Sequence, residues 1–234
     1  MKTNTKRPKF VRSFGRIKSR TLSNNKKDLL ENLLPQYQII NSENIPQSQK
    51  IYLEIGFGFG DFLFENAKNN PDILFIGCEP HLNGVINLLA KLQETPLTNI
   101  KIFVGDNRLL LSTICHKIFD KIYILFPDPW PKSKHHKRRL INAEFLQLLH
   151  SKIKDDGKLI IATDDNSYKQ WIFAEYFRSG LWKWQANSKA DWQNFPDDWK
   201  KTKYQIKAEA AGRENIYPRP SVNSDASKFW ALLK

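Results

Sequence analysis

The stretch Phe126-Pro127-Asp128-Pro129-Trp130-Pro131-Lys132 sets a carboxylate between two prolines and beside an indole. Proline holds φ near about −65° and has no N–H, so this segment can continue neither a strand nor a helix. A rigid turn that presents Asp128 next to a flat ring suits recognition of a planar base. A second constellation lies upstream, where the apolar run Ile51-Tyr52-Leu53-Glu54-Ile55 enters Gly56-Phe57-Gly58-Phe59-Gly60. Glycines at the mouth of a first strand–helix unit let a ligand approach the backbone closely. Their Gly-x-Gly-x-Gly spacing differs from the Gly-x-Gly-x-x-Gly of dinucleotide folds, which argues against a nicotinamide dehydrogenase. Glu54 precedes the glycines and suits a positive group. Glu79 ends the next apolar run, where an acid takes ribose hydroxyls. Asp106, beside Asn107, ends the third and can bond an adenine edge. The ligand so outlined is an adenosine with a cationic tail, which fits S-adenosylmethionine better than NAD.

These residues need elements to position them. Short apolar runs at 50–55, 73–78, 100–104, 119–126 and 158–163 read as strands. Between and after them, 60–69, 82–93, 107–115, 142–153 and 166–178 read as helices. Strands alternating with helices predict an α/β fold with a mostly parallel central sheet and helices on both faces. Near-continuous apolar strands such as Ile122-Tyr123-Ile124-Leu125-Phe126 fit burial on both sides. Ligands in such sheets sit at the carboxyl ends of the strands, where every residue named above falls. Asp164 and Asp165 follow the fifth strand at the same edge, and Asp165 equally suits the N-cap of the next helix. Residues 1–25 read as a mobile basic arm, and 26–40 as a short helix ending at Pro35. The organisation expected is an arm and short helix over 1–40, then a single domain over 41–234. Beyond 180 the pattern weakens: Trp182 and Trp184 alternate like strand residues, 186–201 is loop-like, and 228–233 suits an edge strand.

The 234 residues hold 37 Lys+Arg against 24 Asp+Glu, a net charge of +13. Residues 1–30 carry ten of the cations and one acid, Asp28. A second cluster is Lys132, Lys134, Lys137, Arg138 and Arg139 with His135 and His136 between, and a third is Lys200, Lys201, Lys203 and Lys207. Three separate basic clusters point to a polyanion, and nucleic acid fits best because each neutralised phosphate releases condensed counterions. A membrane surface fits less well, since the basic segments lack an apolar face. No apolar run approaches the roughly 18 residues of a spanning helix, and none follows the N-terminal cations as in a signal peptide. Cys78 and Cys115 are far apart in apolar surroundings, so the expectation is two core thiols in a reducing cytosol. Adjacent histidines lack metal-ligand spacing, so no metal site is expected.

Taken in order, these motifs resemble the bacterial tRNA (guanine-N7-)-methyltransferase family. The likeness rests on the basic arm, Glu54-x-Gly56-x-Gly58-x-Gly60, Glu79, Gly105-Asp106, the run from Phe126 to Arg139, Thr163-Asp164 and Thr202-Lys203-Tyr204. The resemblance implies a Rossmann-like class I methyltransferase that uses S-adenosylmethionine to methylate N7 of guanine 46 in the tRNA variable loop. It also implies a cytoplasmic enzyme, monomeric or homodimeric, without metal. By the family pattern Glu54, Gly56, Gly58, Glu79, Asp106, Asn107 and Asp128 hold the cofactor, and Asp128 is also the catalytic acid. Lys132, Asp164, Thr202, Lys203, Tyr204 and Gln205 match substrate positions, and Lys134, His135, His136, Lys137, Arg138 and Arg139 match an RNA-contacting stretch. Gln205 departs from the family's usual Glu and keeps an acceptor without its charge. The residues leave two other readings open: an amino-group methyltransferase acting on adenine or cytosine, and an RNA-binding module that kept the fold without the chemistry.

Overall fold

The computed structural model describes residues 22–46, 49–184, 206, 209–212, 216–217 and 220–222. The chain alternates as expected from its buried-strand pattern: β1 (Lys50–Ile55), α3 (Asp61–Asn69), β2 (Ile73–Glu79), α4 (Leu82–Glu94), β3 (Ile100–Val104), α5 (Asn107–Thr113), β4 (Phe119–Leu125), α6 (Ala143–His150), β5 (Ile153–Ala162) and α7 (Asn166–Ser179). Two short helices, α1 (Asn24–Asp28) and α2 (Leu34–Tyr37), precede them, and β6 (Trp182–Trp184) and β7 (Pro220–Val222) follow. The seven strands lie in the order β3-β2-β1-β4-β5-β7-β6. Strands β1 to β5 are parallel, whereas β7 runs antiparallel to both β5 and β6. The order reverses between β1 and β4, which opens a crevice beyond their carboxyl ends.

Alternate side chains of each strand serve opposite layers. On one face Ile51, Leu53 and Ile55 of β1 pack with Leu110 of α5, Phe145 of α6 and Tyr168 of α7. On the other, Phe75 and Phe57 meet Leu63 of α3 and Leu88 of α4. Each such buried apolar side chain contributes about 1.5–3 kcal/mol. A methyl on Gly77 would stand 2.5 Å from Leu63 and 2.6 Å from Phe57, so a bare backbone in β2 is what lets α3 lie so close. Helices α5, α6 and α7 start on side-chain caps, each contributing about 1 kcal/mol. Asp106 accepts from the N–H of Arg108, Asn142 from that of Phe145, and Asp165 from that of Tyr168 at 2.7 Å.

Four boundaries depart from expectation. The N-terminal helix does not stop at Pro35: a π turn, Leu29–Leu33, precedes α2, and Pro35 sits in its first turn, where a missing N–H is tolerated. Leu29 of that turn packs in the same layer as α4, and Ile39 donates to the carbonyl of Ile102 in β3. Helix α6 ends at His150 and β5 begins at Ile153, because residues 154–157 bulge out between the pairings Phe119–Ile153 and Lys121–Lys158. Helix α5 ends at Thr113, so Ile114 takes the core position and Cys115 is exposed, contrary to the expectation of two buried thiols; Cys78 is buried. The expected arm over residues 1–21, the loop over 186–201 and the strand over 228–233 lie outside the described residues.

Candidate active site

Strand β1 delivers the chain into Gly56, Gly58 and Gly60 with φ of +74°, +55° and +73°, a region that favours glycine. This loop is held from below by Glu79 at the end of β2. Its carboxylate accepts from the N–H of Gly58 at 2.9 Å and from that of His81 at 2.8 Å. Glu79 is 7 % exposed, and burial raises its pKa against the pull of those two bonds, with the charge of Asp128 adding to the rise. Gly84 of α4 lies against the loop, and a methyl there would fall 2.2 Å from the carbonyl oxygen of Gly58. Sequence reasoning passed over Gly84, although a glycine inside a helix is itself a sign of close approach.

Glu54 lies under the same loop, 3 % exposed. Burial first, then the charges of Glu79 and Asp61, push its pKa up to about 8, so it holds a proton at neutral pH. Its Oε2, like Oδ1 of Asn107, is buried without a hydrogen-bond partner among the described residues. A cation beside Glu54 would restore the carboxylate, and a donor from a nucleoside would satisfy Asn107. The two orphaned acceptors therefore fit S-adenosylmethionine. Asp106 is more engaged than expected: besides capping α5, it takes the guanidinium of Arg108 at 2.5 and 2.8 Å.

A cavity of about 1320 Å³ opens at this edge. Gly56, Gly58, Glu79, Asp106, Asn107 and Asp128 all border it, whereas Glu54 sits beneath. Its volume exceeds the ~300–1,000 Å³ of a pocket for one small ligand. Asp128 is exposed at the mouth, on a loop that leaves β4 through Phe126 at φ +52° and passes Trp130 at φ +45°. Two non-glycine residues with positive φ store of order 1–3 kcal/mol each, strain of the kind found at functional sites. The guanidinium of Arg138 lies 5.0 Å over the Trp130 ring, and His135 meets its edge at 5.8 Å. Desolvation, then the charges of Arg138, Lys132 and Lys137, lowers the pKa of His135.

Lys132, Lys134 and Lys137 are exposed around the 3-10 turn Ser133–Arg138; Lys137 borders the cavity, and Lys132 and Lys134 lie outside it. His136 is half-buried against Trp171 of α7 at 5.6 Å. Arg139 does not join this surface. It is 3 % exposed on the cavity wall and turned inward onto the carbonyl of Pro129 at 2.8 Å, where the family pattern expects an RNA contact. Asp164 is half-buried at the end of β5 and does not border the cavity, and its neighbour Asp165 is spent on capping α7. Thr202, Lys203, Tyr204 and Gln205 lie outside the described residues. Among the described residues no cluster of three or more His, Cys, Asp or Glu could hold a metal, and no helix is long and apolar enough to cross a membrane.

Fold and cavity together define a class I S-adenosylmethionine-dependent methyltransferase. The antiparallel β7 between β5 and β6 distinguishes the sheet from the 3-2-1-4-5-6 order of dinucleotide folds. Known proteins agree. A family model described as "Putative methyltransferase" matches residues 48–217. The tRNA (guanine-N(7)-)-methyltransferase of Hyphomonas neptunium is 38% identical over 204 residues, covering 84% of this chain and 93% of that protein. The protein of the same name from Agrobacterium fabrum is 38% identical over 213 residues, covering 87% and 92%. In fold alone, the 30S ribosomal A1408 methyltransferase from an uncultured bacterium superposes with a TM-score of 0.51 at 20% identity, covering 87% of this chain and 96% of that one. The chain belongs to the tRNA (guanine-N7-)-methyltransferase family.

Proposed function

We propose that this chain methylates N7 of a guanine in tRNA, at position 46 of the variable loop, working in the cytoplasm as a monomer or homodimer. The reading rests above all on one juxtaposition. Asp128 stands at the mouth of a cavity large enough for a nucleoside cofactor and a base, beside the Trp130–Arg138 stack and inside a rim of exposed lysines. S-adenosylmethionine supplies, when bound, an electrophilic methyl group on a sulfonium sulfur. Glu54 suits its cationic end, and Glu79, Asp106 and Asn107 suit its nucleoside, over the bare backbone of Gly56 and Gly58.

Guanine N7 has a free lone pair and loses no proton on reaction. The chain therefore needs no strong base; its task is position and electrostatics. Asp128 faces the ring that becomes cationic and offsets that charge. Trp130 and Arg138 offer a stacking surface to a base drawn out of the tRNA stack. Asp164, with Thr202, Lys203, Tyr204 and Gln205, reads the base edge. Lys132, Lys134 and Lys137 take backbone phosphates, with His135 and His136 bracing the turn that carries them. The test is methyl transfer from labelled cofactor to unmodified tRNA transcripts, followed by nucleoside analysis. The expected product is N7-methylguanosine, lost when the variable-loop guanine is replaced. Label in N6-methyladenosine, or no transfer by cofactor-bound protein, would overturn the reading.

A further inference from the structure

Arg139 ends a run of cations that reads as one RNA-binding surface, yet its side chain behaves unlike its neighbours. It is 3 % exposed, whereas Lys132, Lys134 and Lys137 are exposed. Its Nε donates to the carbonyl of Pro129 at 2.8 Å, and its Nη2 donates to Oγ of Ser167 at 2.8 Å. The guanidinium lies over two aromatic faces of α7, Tyr168 at 5.0 Å and Trp171 at 5.1 Å. Among the described residues no carboxylate comes within ion-pair distance of it. Its direct contacts are thus π faces and neutral acceptors, with the Asp165 carboxylate acting only from beyond ion-pair distance, an arrangement that a planar guanidinium satisfies and an ammonium does not.

What this side chain grips matters. Pro129 lies between Asp128 and Trp130 and has no N–H, so its carbonyl is the one backbone group by which it can be held. Trp130 follows at φ +45°, a conformation that relaxes unless its surroundings hold it. Ser167 belongs to the first turn of α7, which Asp165 caps directly after Asp164. The guanidinium therefore ties the loop after β4 to the loop after β5, the two that carry Asp128 and Asp164. The same wall is bolted a second time: Tyr168 Oη accepts from the N–H of Ile141 at 3.1 Å, and Trp171 Nε1 donates to the Ile141 carbonyl at 2.7 Å.

We infer that Arg139 is a positioning residue rather than a phosphate contact, holding the Pro129 carbonyl against α7 so that Asp128 faces the reacting base at a fixed place. This rests on the proposed reading of the site. Arg139→Lys keeps the charge and loses the fork. The expected result is a fall in kcat of about 100-fold, the scale of a reacting group misplaced by about 1 Å. The KM for tRNA, the cofactor Kd by calorimetry and the salt dependence of tRNA binding stay at wild-type values. Lys137→Gln serves as the contrast, with the slope of log K against log salt reduced by about 0.7–0.9. An Arg139→Lys protein with wild-type kcat, or with a reduced salt slope, overturns the inference. Should Arg139→Lys fail to bind cofactor and so report only misfolding, Ser167→Ala decides: it removes one anchor of the clamp and lowers kcat several-fold at unchanged salt slope, and a wild-type kcat there overturns the inference equally. Total methyl transfer is the readout, so a wild-type product other than N7-methylguanosine would sink the substrate reading and leave this comparison intact.

Discussion

Gly84→Ala adds one methyl group to the outer wall of the glycine loop, and the consequence can be followed atom by atom. The new carbon would sit 2.2 Å from the Gly58 carbonyl oxygen and 3.1 Å from Cγ of Glu79. Reaching 3.0 Å, the limit for real side-chain carbons, requires the carbonyl to retreat by about 0.8 Å. The Gly58 N–H moves with it and leaves Glu79, which it meets at 2.9 Å, past hydrogen-bonding distance. Stripping a buried carboxylate of such a partner costs about 1–3 kcal/mol. Where the cofactor needs the loop in its original place, binding must restore it at a similar cost, a loss of about 5- to 150-fold in affinity. Stability falls as well, because the lost bond and an overpacking cost of about 1–3 kcal/mol outweigh the about 1 kcal/mol that alanine gains over glycine in a helix interior. The assay is calorimetric titration with S-adenosylmethionine beside a thermal melt. Asn87→Ala, on the exposed side of the same helix, is the control. Wild-type affinity in Gly84→Ala would refute the claim that this helix glycine exists to admit the loop.

Glu54→Gln tests the buried carboxyl lifted to about 8. The folded ligand-free protein keeps a proton that the unfolded chain releases near 4.5, so between those values this group erodes stability by about 1.4 kcal/mol per pH unit. The melting temperature of wild type should therefore fall relative to Glu54→Gln as pH rises from 5 to 8, and parallel melting curves would contradict the assignment. Asp128→Ala should lower turnover by about 100-fold or more while changing cofactor affinity little; unchanged turnover would remove Asp128 from the chemistry. Replacing exposed Lys132 or Lys134 by Gln should weaken binding of all tRNAs alike and flatten the salt slope by about 0.7–0.9 for each phosphate that is no longer neutralised. Filter binding between about 50 and 200 mM salt measures it.

The order of elements was legible because parallel strands are buried on both faces. Runs such as Ile122 to Leu125 fit that burial, and Asp165 was legible as the cap of the helix after β5, whereas Asp106 and Asn142 show their capping role only in the structure. Boundaries slipped where a local signal met a tertiary one. Pro35 reads as a stop, but the π turn before it carries the chain on to Tyr37, whose ring is buried in the layer beside α4. The apolar run suggests a strand from 158, but the strand is already paired at Ile153, and residues 154–157 bulge out within it.

The site divides in the same way. Residue types and spacing alone pointed to the glycine loop, to Glu79 and Asp106 at successive strand ends, and to Asp128 on its proline-bound turn, because each is a local device read within a few residues of sequence. Direction was decided by the tertiary structure. Arg138 and Arg139 are neighbours in a basic run, but the first turns outward onto Trp130 and the second inward beneath Pro129, drawn by the rings of Tyr168 and Trp171 some thirty residues away. Glu54 acquires its high pKa only once burial and two other carboxylates surround it. Charge and spacing are written along the chain, whereas what a side chain faces depends on which distant surfaces folding brings against it.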